Sequence, residues 1–346
     1  MASMKGLFQY SLVSISLLFS AQVLAEDAKN LNDKVNIGGV IEVEANWSST
    51  DYASGGSDDE SRAALATVEL GVDADISEHV SGHLLFLYED GDDGVSVDEG
   101  YITLDGKDKM PFYLQAGKMA VPFGWFESHF ISDPLTLELG ETKEDGVTVG
   151  YADNGLNISA TLFNGDVNER GSDDDHIDGW VLNLSYETDQ LGDIGLMGGI
   201  AYINNIAESD GLEEQINDPD ALLDDYVAGM GMFLGLSFKE ALFVKAEYVG
   251  ALDEFKAGEL AFDGGKAYAP KAWNFEAAYN VMDGVELGIK YSKSDEGGDF
   301  LAENQWGAVA SWEVLPGATL AVEYLRSEYA NDDKTDSVTA QLGVAF

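Results

Sequence analysis

The chain closes on Asp336-Ser337-Val338-Thr339-Ala340-Gln341-Leu342-Gly343-Val344-Ala345-Phe346, in which Val338, Ala340, Leu342, Val344 and Phe346 share one face. Successive side chains on a strand point to opposite sides, so this run has one apolar side and one polar or small side. The same pattern recurs from Val35 onward. In Tyr226–Phe238 the residues Tyr226, Ala228, Met230, Met232, Leu234, Leu236 and Phe238 alternate with small ones. In Gly284–Ser292, Val285, Leu287, Ile289 and Tyr291 alternate with Glu286, Gly288, Lys290 and Ser292. A buried Glu or Lys at every second position would be ruinous in a dry core and costs little beside water. Alternation over runs of about ten residues therefore predicts an all-β fold, a transmembrane antiparallel β-barrel with an apolar exterior and a polar lumen.

Sixteen strands are expected, starting near Val35, Arg62, Val80, Val95, Phe112, Gly146, Leu156, Gly179, Ile194, Tyr226, Ala241, Lys271, Gly284, Asn304, Ala318 and Asp336. The connections alternate between short turns and long acidic loops, as periplasmic turns and external loops do. An even strand number lets the first and last strands pair and abolishes the open edge. Tyr88, Tyr151, Tyr186, Tyr202, Tyr248, Tyr279, Tyr291, Trp312 and Tyr324 fall on the outward register, where a bilayer's headgroup belt favours them.

Residues 1–25 read as a cleaved signal peptide: Lys5, an apolar stretch from Leu7 to Leu24, then small residues ending at Ala25. Residues 26–34 read as a short periplasmic N-terminal segment and 35–346 as the outer-membrane barrel. The net charge of −46 excludes nucleic acid, whose phosphates need Lys and Arg. With no cysteine there is neither a disulfide framework nor a thiolate metal site. The four His are scattered and no nucleophile elbow or metal motif is present, so no enzyme and no catalytic residue is expected.

Two features carry a family resemblance. The terminal Phe346 on an alternating strand resembles the C-terminal insertion signal read by the outer-membrane assembly machinery. Gly100-Tyr-Ile-Thr-Leu104, Phe112-Tyr-Leu-Gln-Ala-Gly-Lys-Met119 and Val121-Pro-Phe-Gly124 resemble Gram-negative porins of the phosphate-selective class and, more closely, the LbtU family of siderophore porins. The resemblance implies a homotrimer in the bacterial outer membrane, among its lipids and lipopolysaccharide. It also implies passage of small solutes, or of an iron-siderophore, without an energy-coupled plug. Phosphate itself is disfavoured because Arg62, Arg170 and Arg326 are the only arginines.

The third external loop, Met119–Asp145, is read as the longest; in such porins it folds inward and narrows the pore. Here Phe123 and Trp125 are expected to anchor it, with Glu127, His129 and Asp133 facing the opening. Lumen-lining charges are expected at Glu42, Glu44, Glu69, Asp73, Asp75, Lys118, Lys245, Glu247, Glu276, Glu286, Lys290, Glu313 and Glu323. Acids outnumber bases, which favours cations. Acidic clusters at Asp58-Asp59-Glu60, Asp90 with Asp92-Asp93, Asp173-Asp174-Asp175, Asp218 with Asp220, Asp224-Asp225, Asp295-Glu296 and Asp332-Asp333 either keep the loops soluble by charge alone or also hold Ca²⁺ or Mg²⁺ loosely; no other cofactor is expected. The expected activity is passive, cation-preferring diffusion, with iron-siderophore uptake as its narrower form. The reading from another class is a non-conducting structural or adhesion barrel, which conductance would separate from a porin.

Overall fold

The computed structural model describes residues 34–91, 94–171, 176–188 and 191–346. The expected signal segment, residues 26–33, and the acidic clusters at Asp92-Asp93 and Asp173-Asp174-Asp175 lie outside the described residues. Sixteen strands form one closed barrel. They are β1 Val35–Asp51, β2 Ser57–Ser77, β3 Val80–Glu89, β4 Ser96–Asp105, β5 Phe112–Ala120, β6 Lys143–Asp153, β7 Leu156–Phe163 and β8 Gly179–Thr188. They continue as β9 Ile194–Ile203, β10 Gly229–Phe238, β11 Leu242–Ala251, β12 Lys271–Met282, β13 Val285–Asp295, β14 Asn304–Leu315, β15 Ala318–Glu328 and β16 Lys334–Ala345. Each pairs antiparallel with its neighbour in sequence, and β1 closes on β16 from Val40 against Ala345 to Asp51 against Lys334. Closure matters because a bilayer offers no hydrogen bonds to an unpaired edge. No helix among the described residues is long and apolar enough to cross a membrane.

Alternation sets the two faces. Leu162, Leu234 and Ile289 point outward and are exposed on the barrel wall. Inward neighbours pair through polar groups, as Thr148 with Thr161 (2.8 Å) and Ser292 with Asn274 (2.7 Å). The aromatics expected outward keep that register. At the outer rim Trp180 stacks on Tyr202 (5.1 Å) and Tyr248 packs on Trp273 (5.3 Å); at the periplasmic rim Phe112 meets Tyr151 (5.4 Å). The β6–β7 turn places Asn154 at φ 50° and Gly155 at φ 83°. Those left-handed residues give the turn a twist that matches its strands.

Several expected boundaries shift for physical reasons. β2 begins at Ser57 rather than Arg62, so Asp58, Asp59 and Glu60 belong to a strand, paired with Thr50, Ser49 and Ser48. Above the membrane both faces of a hairpin meet water, and apolar alternation no longer marks it. β10 begins at Gly229, and Tyr226, read as its first outward residue, instead donates its hydroxyl to Asp178 (2.6 Å) in a loop. β6 begins at Lys143, opposite Ala120, which shortens the third loop to residues 121–142. The fifth connection, residues 204–228, is therefore the longer of the two.

The external loops also build a core of their own. Two-residue strands Asn168–Glu169 and Leu222–Leu223 pair in parallel, and Ile216 bridges to Leu260 and Phe255 to Tyr268. Val167, Ile206, Leu212, Leu223, Phe255 and Leu260 are fully buried between these loops. The resulting cap rests on the third loop, where the Asp210 N–H donates to the Glu141 carbonyl (2.9 Å).

Phe346 finishes the closing ladder: its N–H and carbonyl both bond Gly39 (3.0 Å each). Its ring lies where a Cβ on Gly39 would sit, 2.8 Å away. Removing Phe346 should lower the amount of barrel inserted, seen as less heat-modifiable protein in outer-membrane fractions. Conductance per inserted molecule should be unchanged.

Candidate functional site

The lumen is organised by the third loop, which leaves β5 at Ala120 and crosses the inner faces of β10 to β15. A loop taken from bulk water must find partners for its backbone groups. Wall carboxylates supply them. The Trp125 N–H donates to Glu247 Oε1 (2.5 Å), and the Thr136 hydroxyl donates to the same residue's Oε2 (2.9 Å), so one glutamate ties both arms of the loop. Glu276 accepts from the Ser128 hydroxyl (2.8 Å) and the His129 N–H (3.0 Å). Glu323 accepts from the N–H groups of Ile131 (2.7 Å) and Ser132 (3.1 Å) and from the Ser132 hydroxyl. Hydrogen bonds to an ionised acceptor contribute about 1.5–3 kcal/mol each.

Two lysines complete the attachment. Lys245 donates to the Glu127 carbonyl, lies 3.4 Å from Glu247, and sits 4.8 Å from the Trp125 ring. Lys290 donates to the Ser132 carbonyl (2.9 Å) and sits 4.6 Å from the Phe130 ring. The loop approaches the wall closely because β10 presents glycine inward: a Cβ on Gly231 would fall 2.0 Å from the Phe123 carbonyl, and one on Gly235 would fall 2.6 Å from the Trp125 ring. The loop then turns through a short helix, α1 (Leu135–Gly140), whose Leu135 and Leu139 are buried.

Between the loop and the opposite wall lies a cavity of about 1150 Å³. Glu42, Glu44 and Glu69 line the wall side; Glu127, Asp133, Glu138 and Glu141 line the loop side. Arg62 and Lys143 are the two basic residues on it. Arg62 is paired with Asp90 (2.5 Å), and Lys143 with Asp98 (3.1 Å) and Glu141 (3.6 Å). Burial lifts the pKa of Glu127, Asp133 and Glu138. It carries Glu141 to about 7, against the pull of Lys143 and with the push of Asp210. Burial disfavours the His129 imidazolium, but Glu286, whose carboxylate takes the Nδ1–H (2.9 Å), outweighs that with Glu276 nearby, so the His129 pKa is raised.

A closed barrel with an inward third loop stapled to its wall is a pore architecture. A family model described as Gram-negative porin matches residues 11–346. The chain belongs to the Gram-negative porin family. Among curated relatives, a UPF0422 protein of Coxiella burnetii is 28% identical over 226 residues, covering 63% of this chain and 48% of that protein. A UPF0422 protein of Legionella pneumophila is 24% identical over 261 residues, covering 66% and 47%. The chain spans about half the length of the curated relatives it matches. Among solved structures, the outer membrane channel DcaP of Acinetobacter baumannii superposes with a TM-score of 0.61 at 16% identity, covering 90% of this chain and 97% of that one. The anion-selective porin from Comamonas acidovorans gives 0.61 at 13% identity, covering 90% and 99%. These two likenesses show the fold.

Against this porin frame, the expected residues divide. Glu42, Glu44 and Glu69 line the open cavity with Glu127 and Asp133. Lys245, Glu247, Glu276, Lys290 and Glu323 point inward, as expected, but are buried beneath the loop and do not line the open path. Phe123 is likewise buried, and Trp125 packs on Phe233 (5.7 Å). His129 turns to Glu286 rather than to the opening. Asp73 bonds His83 (2.7 Å), Asp75 faces inward opposite Ser81, and Glu313 faces inward opposite Thr319. Lys118 is a correction: its register, between Gly100 and Asp145, is the outward one shared with Ile102, Ala116 and Val147. Lys118 follows Phe112, Leu114 and Ala116 at two-residue steps on the outward face of β5, so alternation itself turns it away from the lumen. Lys143, Asp98 and Glu141 were missed because they lie where strand alternation ends. Among the described residues no group of three or more His, Asp or Glu is disposed to hold a metal ion. Asp218 and Asp224 take Arg170 (2.9 and 3.2 Å).

Glu323→Ala should leave the Ile131 and Ser132 N–H groups and the Ser132 hydroxyl without their acceptor, costing about 3–5 kcal/mol. Denaturant titration should show the loss, and single-channel records should show noisier open states. The His129–Glu286 tie should be complete below the ordinary histidine pKa of about 6.5 and be lost as pH rises through the raised folded value. Open-channel noise should therefore grow with pH there, and His129→Gln should remove that dependence.

Proposed function

We propose that this porin is an open, cation-preferring diffusion channel for small solutes. The observation that carries the reading is the composition of the free path: carboxylates face it from both the β1–β2 wall and the loop, while both basic residues on it are already paired. A solute moves down its gradient through the cavity. A low-dielectric wall focuses the field of those carboxylates and enriches cations in the aperture. Under the loop three carboxylates and two lysines leave one net negative charge, and the loop's N–H groups are turned to those carboxylates, so this set adds little to that field. The iron-siderophore form of the reading is narrowed by the same charge: a neutral or cationic complex fits the path and an anionic one is repelled. Assembly as a homotrimer belongs to this reading and rests on the family resemblance.

In a planar bilayer with a KCl gradient the protein should give stable steps and a cation-selective reversal potential. Zero conductance from folded protein, or anion selectivity, would overturn the proposal. Selectivity should weaken as pH falls from 8 to 5, because Glu141 takes a proton near 7 and the other loop carboxyls with raised pKa follow. Combined Glu42→Gln and Glu141→Gln substitution should shift the reversal potential toward zero and flatten the pH profile.

A further inference from the structure

Where the third loop rejoins the wall, carboxylates crowd around a single lysine. The β3–β4 ladder carries a bulge: Leu85 pairs with Glu99 and Phe86 with Val97, which leaves Asp98 as the extra residue. A bulge re-aims a side chain. Asp98 and Glu99 are consecutive, yet both are buried on the lumenal side, where strict alternation would turn one of them to lipid. From the loop, Glu141 arrives at the C-terminal end of α1.

Lys143 begins β6 opposite Ala120, and its N–H donates to Asp210 Oδ1 (3.3 Å). Its side chain is mostly buried, with the ammonium 3.1 Å from Asp98 Oδ2 and 3.6 Å from Glu141 Oε2. Glu69, Glu99 and Asp133 lie within electrostatic reach of the same ammonium. Glu99 Oε1 is buried without a hydrogen-bond partner. Arg62, the other base on the cavity, pairs with Asp90 rather than with any of these carboxylates. One fixed cation therefore serves the whole group. A passage that conducts must attract an ion without keeping it. A hard divalent cation is kept by oxygens that converge on it, and the Asp98 and Glu141 oxygens converge here on Lys143. A tethered ammonium competes for them at a fixed, high effective concentration.

We propose that Lys143 is a built-in counter-ion that denies Ca²⁺ and Mg²⁺ a binding site between Asp98 and Glu141, so that divalent cations pass the aperture without lodging in it. Lys143 is then the residue that sets how the channel treats divalent against monovalent cations. Removing its charge turns a point of transit into a divalent trap, because Asp98 and Glu141 lose their shared partner while Glu69, Glu99 and Asp133 still add to the field. The consequence for transport rests on the cation-preferring reading above; the competition for the two carboxylates does not.

The test compares the full-length protein with Lys143→Met and Lys143→Arg, each folded in detergent. Calorimetric titration with CaCl₂ reads binding, and CaCl₂ added to a planar bilayer in KCl reads block. Lys143→Met should gain one Ca²⁺ site that the wild type lacks, with a dissociation constant of about 10⁻⁴–10⁻³ M, the range of weak carboxylate sites. Millimolar Ca²⁺ should block its K⁺ current. Lys143→Arg keeps the charge and should match the wild type in both measurements. Adding Asp98→Asn to Lys143→Met removes one of the two converging carboxylates and should abolish the gained site. Should Lys143→Met fail to fold, Lys143→Gln, which can still hydrogen-bond Asp98, replaces it. The proposal is overturned if the neutral variant titrates as the wild type does, if Lys143→Arg gains the same Ca²⁺ site, or if millimolar Ca²⁺ blocks the wild-type current. An anion-selective reversal potential would overturn the transport reading alone, and calorimetry would still decide the role of Lys143.

Discussion

A backbone N–H or carbonyl removed from water must find a partner, and this requirement organises both the wall and the interior of the pore. For the wall the solution is the ladder: sixteen antiparallel strands closed by β1 on β16 leave no edge. For the third loop, which has no strand to pair with, the solution is side chains of the wall. Glu247, Glu276 and Glu323 accept its N–H groups, and Lys245 and Lys290 donate to its carbonyls. Because two lysines stand among the three carboxylates of this attachment, most of the charge is offset locally. Burial of ions that would be prohibitive singly becomes tolerable when each is paired and hydrogen-bonded.

The lumenal charges consequently form two populations with different work. One population holds the loop and is buried beneath it. The other, from Glu42 to Glu141, lines the open cavity. The division follows from geometry alone. A loop laid against β10–β15 leaves the β1–β2 side free, and glycines at 231 and 235 determine how flat it can lie.

The barrel was legible because lipid outside and water inside impose a period of two on every spanning strand. That signal survives wherever both media are present, and it located most strand starts. It fails where the medium is the same on both sides. β2 therefore begins earlier than its apolar pattern, and Lys143 escaped notice at the top of β6. The inward register of Glu247, Glu276 and Glu323 was readable from alternation, but their burial was not, since it depends on a loop more than a hundred residues away in sequence. The loop cap was unreadable for a related reason. Ile206, Leu212, Leu223 and Phe255 have no period to betray them, and their neighbours come from other loops.

That cap has a consequence for the order of assembly. Its buried residues come from separate hairpins, and contacts such as Ile216 to Leu260 close only when the strands between them are already in place. Loop-closure entropy makes such contacts late ones. Until the last hairpins arrive, Phe255, Leu260 and Leu223 must travel as exposed apolar groups on an otherwise strongly acidic chain. The high negative charge of the surrounding loops then acts as a solubilising escort: mutual repulsion holds immature copies apart until each has folded its own hydrophobic residues away.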